Sequence, residues 1–166
     1  MSKEYSLPPI ITLDQYHGIF DDFFEAVYQV FKKDFVDSKP VYSNKPLRLK
    51  THPYVDGKEY TFYHMTHSGD IEESREPDLR RMERIGWAKP VIENCCSWKL
   101  KVWEQKRKSK KRICIWLEIA DSIDYIVILD VRNNYILPWT TFVLKYGHEK
   151  RKKQKEYEAY LKARTA

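Results

Sequence analysis

The run DYIVILDV, Asp124–Val131, constrains the fold of this chain more than any other stretch. It carries so few polar residues that it suits a central strand, which needs a neighbour on each edge. The flanking sequence supplies both. Asn133-Asn134 makes a tight turn into YILPWTTFVLKY. On the other side, the basic turn KRKSKK joins SWKLKVWEQ to RICIWLEIA. In SWKLKVWEQ, Trp98, Leu100 and Val102 alternate with Lys99, Lys101 and Trp103, the period of a strand. The expectation is four mostly antiparallel strands joined as a meander.

Helices bracket that sheet. In TLDQYHGIFDDFFEAVYQVFKKDFV, the residues Phe20, Phe23, Phe24, Val27, Phe31 and Phe35 recur at helical spacing, and Thr12 and Gln15 have capping-box spacing. This predicts an N-terminal helix over 12–36. DSKPVYSNKP is a turn-rich connection. In LRLKTHPYVDGKEYTFYHMTH, Asp56-Gly57 signals a hairpin between two β-compatible runs, and Pro53 pushes the first to an edge. The second strand then carries Tyr60, Phe62 and His64 on one face, with Thr61, Tyr63 and Met65 on the other. His64 stands at its end, beside a polar loop.

A short helix from Pro77 to about Ile85, with Gly86 just past its end, turns Leu79, Met82 and Ile85 inward. Arg80, Arg81 and Arg84 spread over its remaining surface. The chain closes on a basic helix, 147–164, with little apolar surface beyond Tyr157, Tyr160 and Leu161. The whole reads as one α+β domain: N-terminal helix, β-hairpin and short helix, four-stranded sheet, C-terminal helix, with the core over 46–145.

Composition enters when partners are considered. Against 24 acidic residues stand 30 Lys and Arg, a net charge of +6 that favours an anionic partner such as nucleic acid. Cys95, Cys96 and Cys114 are odd in number, with one adjacent pair and no C-x-x-C; they suit a reducing compartment rather than a disulfide framework or a zinc site. The start, MSKEYSLPPIITLDQYHG, lacks the apolar run of a secretory signal, and no stretch reaches membrane-spanning length. A cytoplasmic protein without membrane contact is expected.

The chemistry concentrates between Phe62 and Cys95. His64 and His67 lie near Asp70, Glu72 and Glu73, but residues three apart on a strand point to roughly opposite faces, and no H-E-x-x-H occurs. No metal or cofactor is expected. G-x-S-x-G is also absent. RNA carries its own nucleophile, the 2′-hydroxyl, so an enzyme cleaving it has to move two protons and neutralise charge on the phosphate. Histidine suits the protons and arginine the phosphate. His64, His67 and Arg81 are the candidates for catalysis, with Thr140 and Thr141 as late hydroxyls. Arg75, Arg80, Arg84, Lys99, Trp139 and Tyr146 are candidate substrate contacts. The basic runs KRKSKK and HEKRKKQK could track a phosphate backbone. Tyr146, Tyr157, Trp98 and Trp103 offer stacking surfaces nearby.

Together, FYHMTHSG, REPDLRRMERIGW and DYIVILDVRNNYILPWTTFVL resemble small toxin-like proteins of phages and mobile elements, of the Barnase–EndoU–colicin–RelE ribonuclease superfamily. The resemblance spans roughly Lys58 to Tyr146. It implies one or two helices followed by a four-stranded antiparallel sheet, and metal-independent cleavage of RNA. It also implies His64 as the leading base or acid, Arg81 and Arg84 as phosphate clamps, and Thr140 or Thr141 as the hydroxyl. RNA, with an antitoxin or immunity protein, would be the partner. Two other readings compete. YHMTH is similar to the first-strand histidine motif of ADP-ribosyltransferases, which need a late catalytic glutamate. The other, ranked ahead of it, is a non-enzymatic protein- or nucleic-acid-binding accessory module.

Overall fold

A computed structural model describes residues 5–119 and 123–165. At the N-terminal end, Thr12 donates its N–H to Gln15 Oε1 and closes a 3-10 turn, Leu13–Tyr16. His17 and Gly18 then take left-handed backbone (φ 56° and 74°), which stops the turn. Helix α1 starts at Phe20, runs to Phe31 and continues as a π-helical stretch, Lys32–Asp37. The expected 12–36 helix is thus divided, because Gly18 interrupts the pattern rather than weakening it. Phe23, Val27, Phe31 and Phe35 are buried as the spacing requires, while Phe20 remains exposed.

Strands β1 (Val41–Tyr42) and β2 (Lys45–Pro46) pair around Ser43-Asn44, both left-handed, as a two-residue turn demands. Asp56-Gly57 makes a second such turn, with Val55 and Lys58 exchanging two 3.0 Å backbone hydrogen bonds. No strand grows from it. The following segment is helix α2, Tyr60–Thr66, where a strand was expected. A strand would put Phe62 and Met65 on opposite faces; a helix unites these buried side chains on one. Phe62 then enters an aromatic cluster, its ring centroid 5.3 Å from Phe24, 5.1 Å from Tyr28 and 5.2 Å from Phe31. This packing overrides the β preference of the segment's Tyr, Thr and Phe residues.

Strands β3 (His67–Ser68) and β4 (Glu76–Pro77) form a short antiparallel ladder. Pro77 therefore belongs to a strand, and Asp78 caps helix α3 (Leu79–Glu83) by accepting the N–H groups of Arg80 and Arg81. Met82 and Ile85 are buried as expected, but Leu79 is exposed. Gly86 does not end the helical region. It lies within a 3-10 turn, Ile85–Trp87, that leads into α4 (Ala88–Asn94). A Cβ at Gly86 would come within 3.2 Å of Pro8 Cγ, so the glycine serves close packing. After α4, Lys99 adopts φ 56° while Leu100 donates to Cys95 O and Lys99 to Cys96 O, a helix-terminating Schellman arrangement. Trp98 and Lys99 thus precede the sheet.

Strands β5 (Lys101–Arg107), β6 (Lys110–Leu117), β7 (Asp124–Val131) and β8 (Ile136–Leu144) pair antiparallel in sequence order. Helix α5, Gly147–Thr165, follows. The fold is α+β, with helices and a four-stranded antiparallel sheet. DYIVILDV is central because both its faces are covered. Tyr125, Val127 and Leu129 face the main core under α1–α4, whereas Ile126 and Ile128 join Trp103, Trp116 and Leu144 in a second cluster with Tyr157 and Tyr160 of α5. Among the described residues, no helix is long and apolar enough to cross a membrane.

Candidate functional site

Helix α2 lies along β8, and its sequence divides cleanly between two tasks. Phe62 and Met65 hold it to the core, while Tyr60, Tyr63 and His64, with His67 just past the helix end, line a cleft of about 480 Å³. Lys50, Glu72, Glu73 and Arg75 complete its polar wall, with Pro53 and Val55 opposite in chemistry. Lys50 Nζ stands 4.1 Å from the centre of the Tyr60 ring, a cation–π contact. The helix ending at Thr66 brings His64 and the residue after it, His67, to the same cleft, where a continuous strand would have separated them.

Each ring has its tautomer set by its neighbours. His64 Nδ1 lies 2.6 Å from the carbonyl oxygen of Trp139, which can only accept, so Nδ1 carries the proton. Thr66 gives its hydroxyl proton to Phe62 O at 2.8 Å, leaving its oxygen to accept from His67 Nδ1 at 3.0 Å. In both neutral rings, Nε2 is the nitrogen with the free lone pair. Burial, reinforced by the positive Arg75, pushes His64 down to about 4. Burial and Arg75 also lower His67. Both rings are neutral at pH 7.

The carbonyl that fixes His64 comes from a defect in the sheet. Ile128 pairs with Thr140 and Leu129 with Pro138, so Trp139 is the extra residue of a β-bulge in β8. The Trp139 ring lies 4.2 Å from that of His64 and packs on the second cluster, with the Arg112 guanidinium 4.7 Å from its centre.

The arginines and threonines expected to touch a phosphate have different work. A helix ends with carbonyls that lack intrahelical partners. At the end of α2, Arg75 Nη2 donates to His67 O and to His64 O. Arg81 Nη1 reaches the same His67 O at 2.7 Å and Thr140 Oγ1 at 3.1 Å. Thr140 Oγ1 donates to His64 O, and the buried Thr141 Oγ1 to Met65 O at 3.0 Å. Burial lowers the Arg81 pKa, and the Asp78 carboxylate 3.1 Å from its Nε offsets part of that cost. Arg75 lines the cleft as well, but Arg81, Thr140 and Thr141 sit behind α2 and fasten it to β8.

The structure thus gathers His64, His67, Arg75, Arg81, Trp139, Thr140 and Thr141 about one helix end. Others lie apart from it. Arg80 makes a 2.7 Å ion pair with Glu83 on the surface of α3. Arg84 was expected on that surface but is buried, bonded to Glu83 Oε1 and to Arg80 O, with its guanidinium over Trp87. Lys99 stands at the turn closing α4, and Tyr146 before α5, stacked on His148. Lys50, Tyr60 and Tyr63 were missed because the strand reading scattered them. The likeness of YHMTH to a first-strand motif also loses its basis, since the segment is helical. Among the described residues, no group of three His, Cys, Asp or Glu could hold a metal ion.

Compared with protein-family models, with curated proteins and with solved structures, the chain matches none.

Proposed function

We propose that the cleft beside α2 cleaves RNA without a metal. The observation that carries this reading is the pair of neutral, tautomer-fixed imidazoles on one wall, next to Arg75 and Lys50. His64, the more strongly depressed of the two, takes the 2′-hydroxyl proton through Nε2. His67, in its protonated fraction, returns a proton to the departing 5′-oxygen. The O2′–P bond forms as the P–O5′ bond breaks, leaving a 2′,3′-cyclic phosphate and a 5′-hydroxyl. Arg75 and Lys50 offset charge on the non-bridging oxygens, and Tyr60 and Tyr63 give a base a ring to lie against. Arg81, Thr140 and Thr141 are positioning residues, acting through the seat of α2. The order of elements, helices and then a four-stranded antiparallel meander, agrees with the ribonuclease superfamily that the sequence resembles.

The test is incubation of the full chain with total RNA in EDTA, beside His64→Asn. Asparagine can keep a donor to Trp139 O but has no counterpart of Nε2. Discrete fragments with cyclic phosphate ends, reduced at least 100-fold in the variant, are expected. Intact RNA with wild-type protein overturns the reading and leaves a binding module.

A further inference from the structure

The proposed reaction leaves unused the two basic runs that stand out in the sequence. The fold brings them together at the edge of the sheet opposite the histidine cleft. Helix α5 runs beside β5, the edge strand. Lys101 Nζ donates to Gln154 near one end, and Gln105 Nε2 to Glu156 at 2.8 Å further along. Beyond that, Lys106 and Arg164 line the same cavity. The last turns of α5 therefore reach the basic β5–β6 turn.

On α5, the exposed Lys152, Lys155 and Lys162 follow one stripe with Ala159, which lines the cavity against β5, between them, about 15 Å from end to end at helical rise. Lys106, Lys108 and Lys110 are exposed at the β5–β6 turn, and Lys106 lines the cavity against α5. Among the described residues, none of these six lysines is engaged in an ion pair. Like charges gathered without ion-pair partners are an electrostatic cost to the fold, and a polyanion relieves it.

Between the turn and the helix lies a cavity of about 620 Å³ lined by the half-buried Tyr160, with the otherwise buried Trp103 at its base, where Ala159 and Ala163 leave room. Glu104 and Glu156 also line it, with their charges already met by Lys111 and by Lys153 with Gln105. A membrane is a poorer fit. Helix α5 turns Tyr157 and Tyr160 toward the sheet, which leaves Leu161 as the only large aliphatic side chain on its outside.

We propose that this edge of β5 and α5 is a docking surface for single-stranded RNA, with phosphates along the lysines and an unstacked base in the aromatic cavity. The choice of RNA over other nucleic acids rests on the reading of the histidine cleft as a ribonuclease site.

The test is fluorescence anisotropy of a labelled oligoadenylate with the full-length His64→Asn chain, titrated at several salt concentrations. The comparison adds Lys106→Glu, Lys110→Glu and Lys162→Glu together, all exposed positions, with the fold checked by circular dichroism. A loss of affinity of at least tenfold is expected, with the slope of log affinity against log salt shallower by about 2, three phosphate contacts at about 0.7 each. An RNA duplex of equal length should bind more weakly than the single strand. Unchanged affinity in the triple variant, equal binding of the duplex, or binding to anionic vesicles but not to RNA each overturns the proposal. The two readings separate in the wild-type background. RNA that is bound through these lysines yet never cut sinks the nuclease and keeps the docking surface. Cleavage with the same KM in the triple variant does the reverse.

Discussion

His64 is a residue with two separable duties, because its two ring nitrogens face different tasks. Nδ1 supports the fold through Trp139 O, while Nε2 is the lone pair that chemistry would use. The depressed pKa links the ring to stability as well. A histidine whose folded pKa lies near 4 rather than 6.5 favours folding in its neutral form. That contribution is complete above 6.5 and is lost as the pH falls toward 4. For a ring still partly solvated, the loss is about 1–2 kcal/mol. Urea denaturation at pH 7 and pH 4 should show it in the wild-type chain, whereas His64→Asn should lack that part of the drop. The same shifts fix the catalytic profile. The base must be neutral, above about 4, and His67 protonated, below its ordinary 6.5, so cleavage should peak between these values. A maximum above pH 7 would rule out this assignment of base and acid.

Helix α2 is only two turns long, so its conformation is imposed by what surrounds it. Phe62 anchors one side in the aromatic cluster, and Arg75, Arg81, Thr140 and Thr141 close the carbonyl end. Phe62→Ala should cost about 3–5 kcal/mol in a urea titration, as expected for an emptied aromatic site. Arg81→Ala should cost about 1–3 kcal/mol through the hydrogen bonds to His67 O and Thr140 Oγ1 and the Asp78 ion pair that it removes. It should also speed amide hydrogen exchange across 60–67 and lower kcat more than KM. Arg81→Lys should not restore the rate, since an ammonium cannot match the guanidinium's span from Asp78 to His67 O and Thr140. The same dependence explains what could be read from the sequence. The meander was legible because DYIVILDV and its neighbours carry their own period and turns. α2 was not, because Tyr, Thr and Phe favour strands locally and the deciding partners, Phe24, Tyr28 and Phe31, lie far along the chain. The cue was present in the i, i+3, i+4, i+7 spacing of Tyr60, Tyr63, His64 and His67. The bulge at Trp139 and the inward turn of Arg81 left no such mark, since both depend on where α2 comes to rest.

Across the whole molecule, the sheet is the spacer between two sites. The histidine cleft lies along β8 and the lysines along β5, three strand spacings apart, or about 14 Å, with α5 adding a further layer of about 10 Å on one face. A short RNA can occupy the cleft or the lysine edge but cannot reach both. A longer strand engages both, and its second contact becomes intramolecular, with an effective concentration set by the linking nucleotides. The KM for cleavage should therefore fall abruptly once the substrate is long enough to span the sheet, while kcat, governed by the cleft, stays nearly level. The triple lysine variant should erase that length dependence without changing cleavage of the shortest substrates. A series of oligoadenylates of increasing length, cut by both proteins at one salt concentration, measures this directly. A smooth KM trend shared by the two proteins would mean that the cleft alone selects the substrate, and that the basic edge serves solubility or another partner.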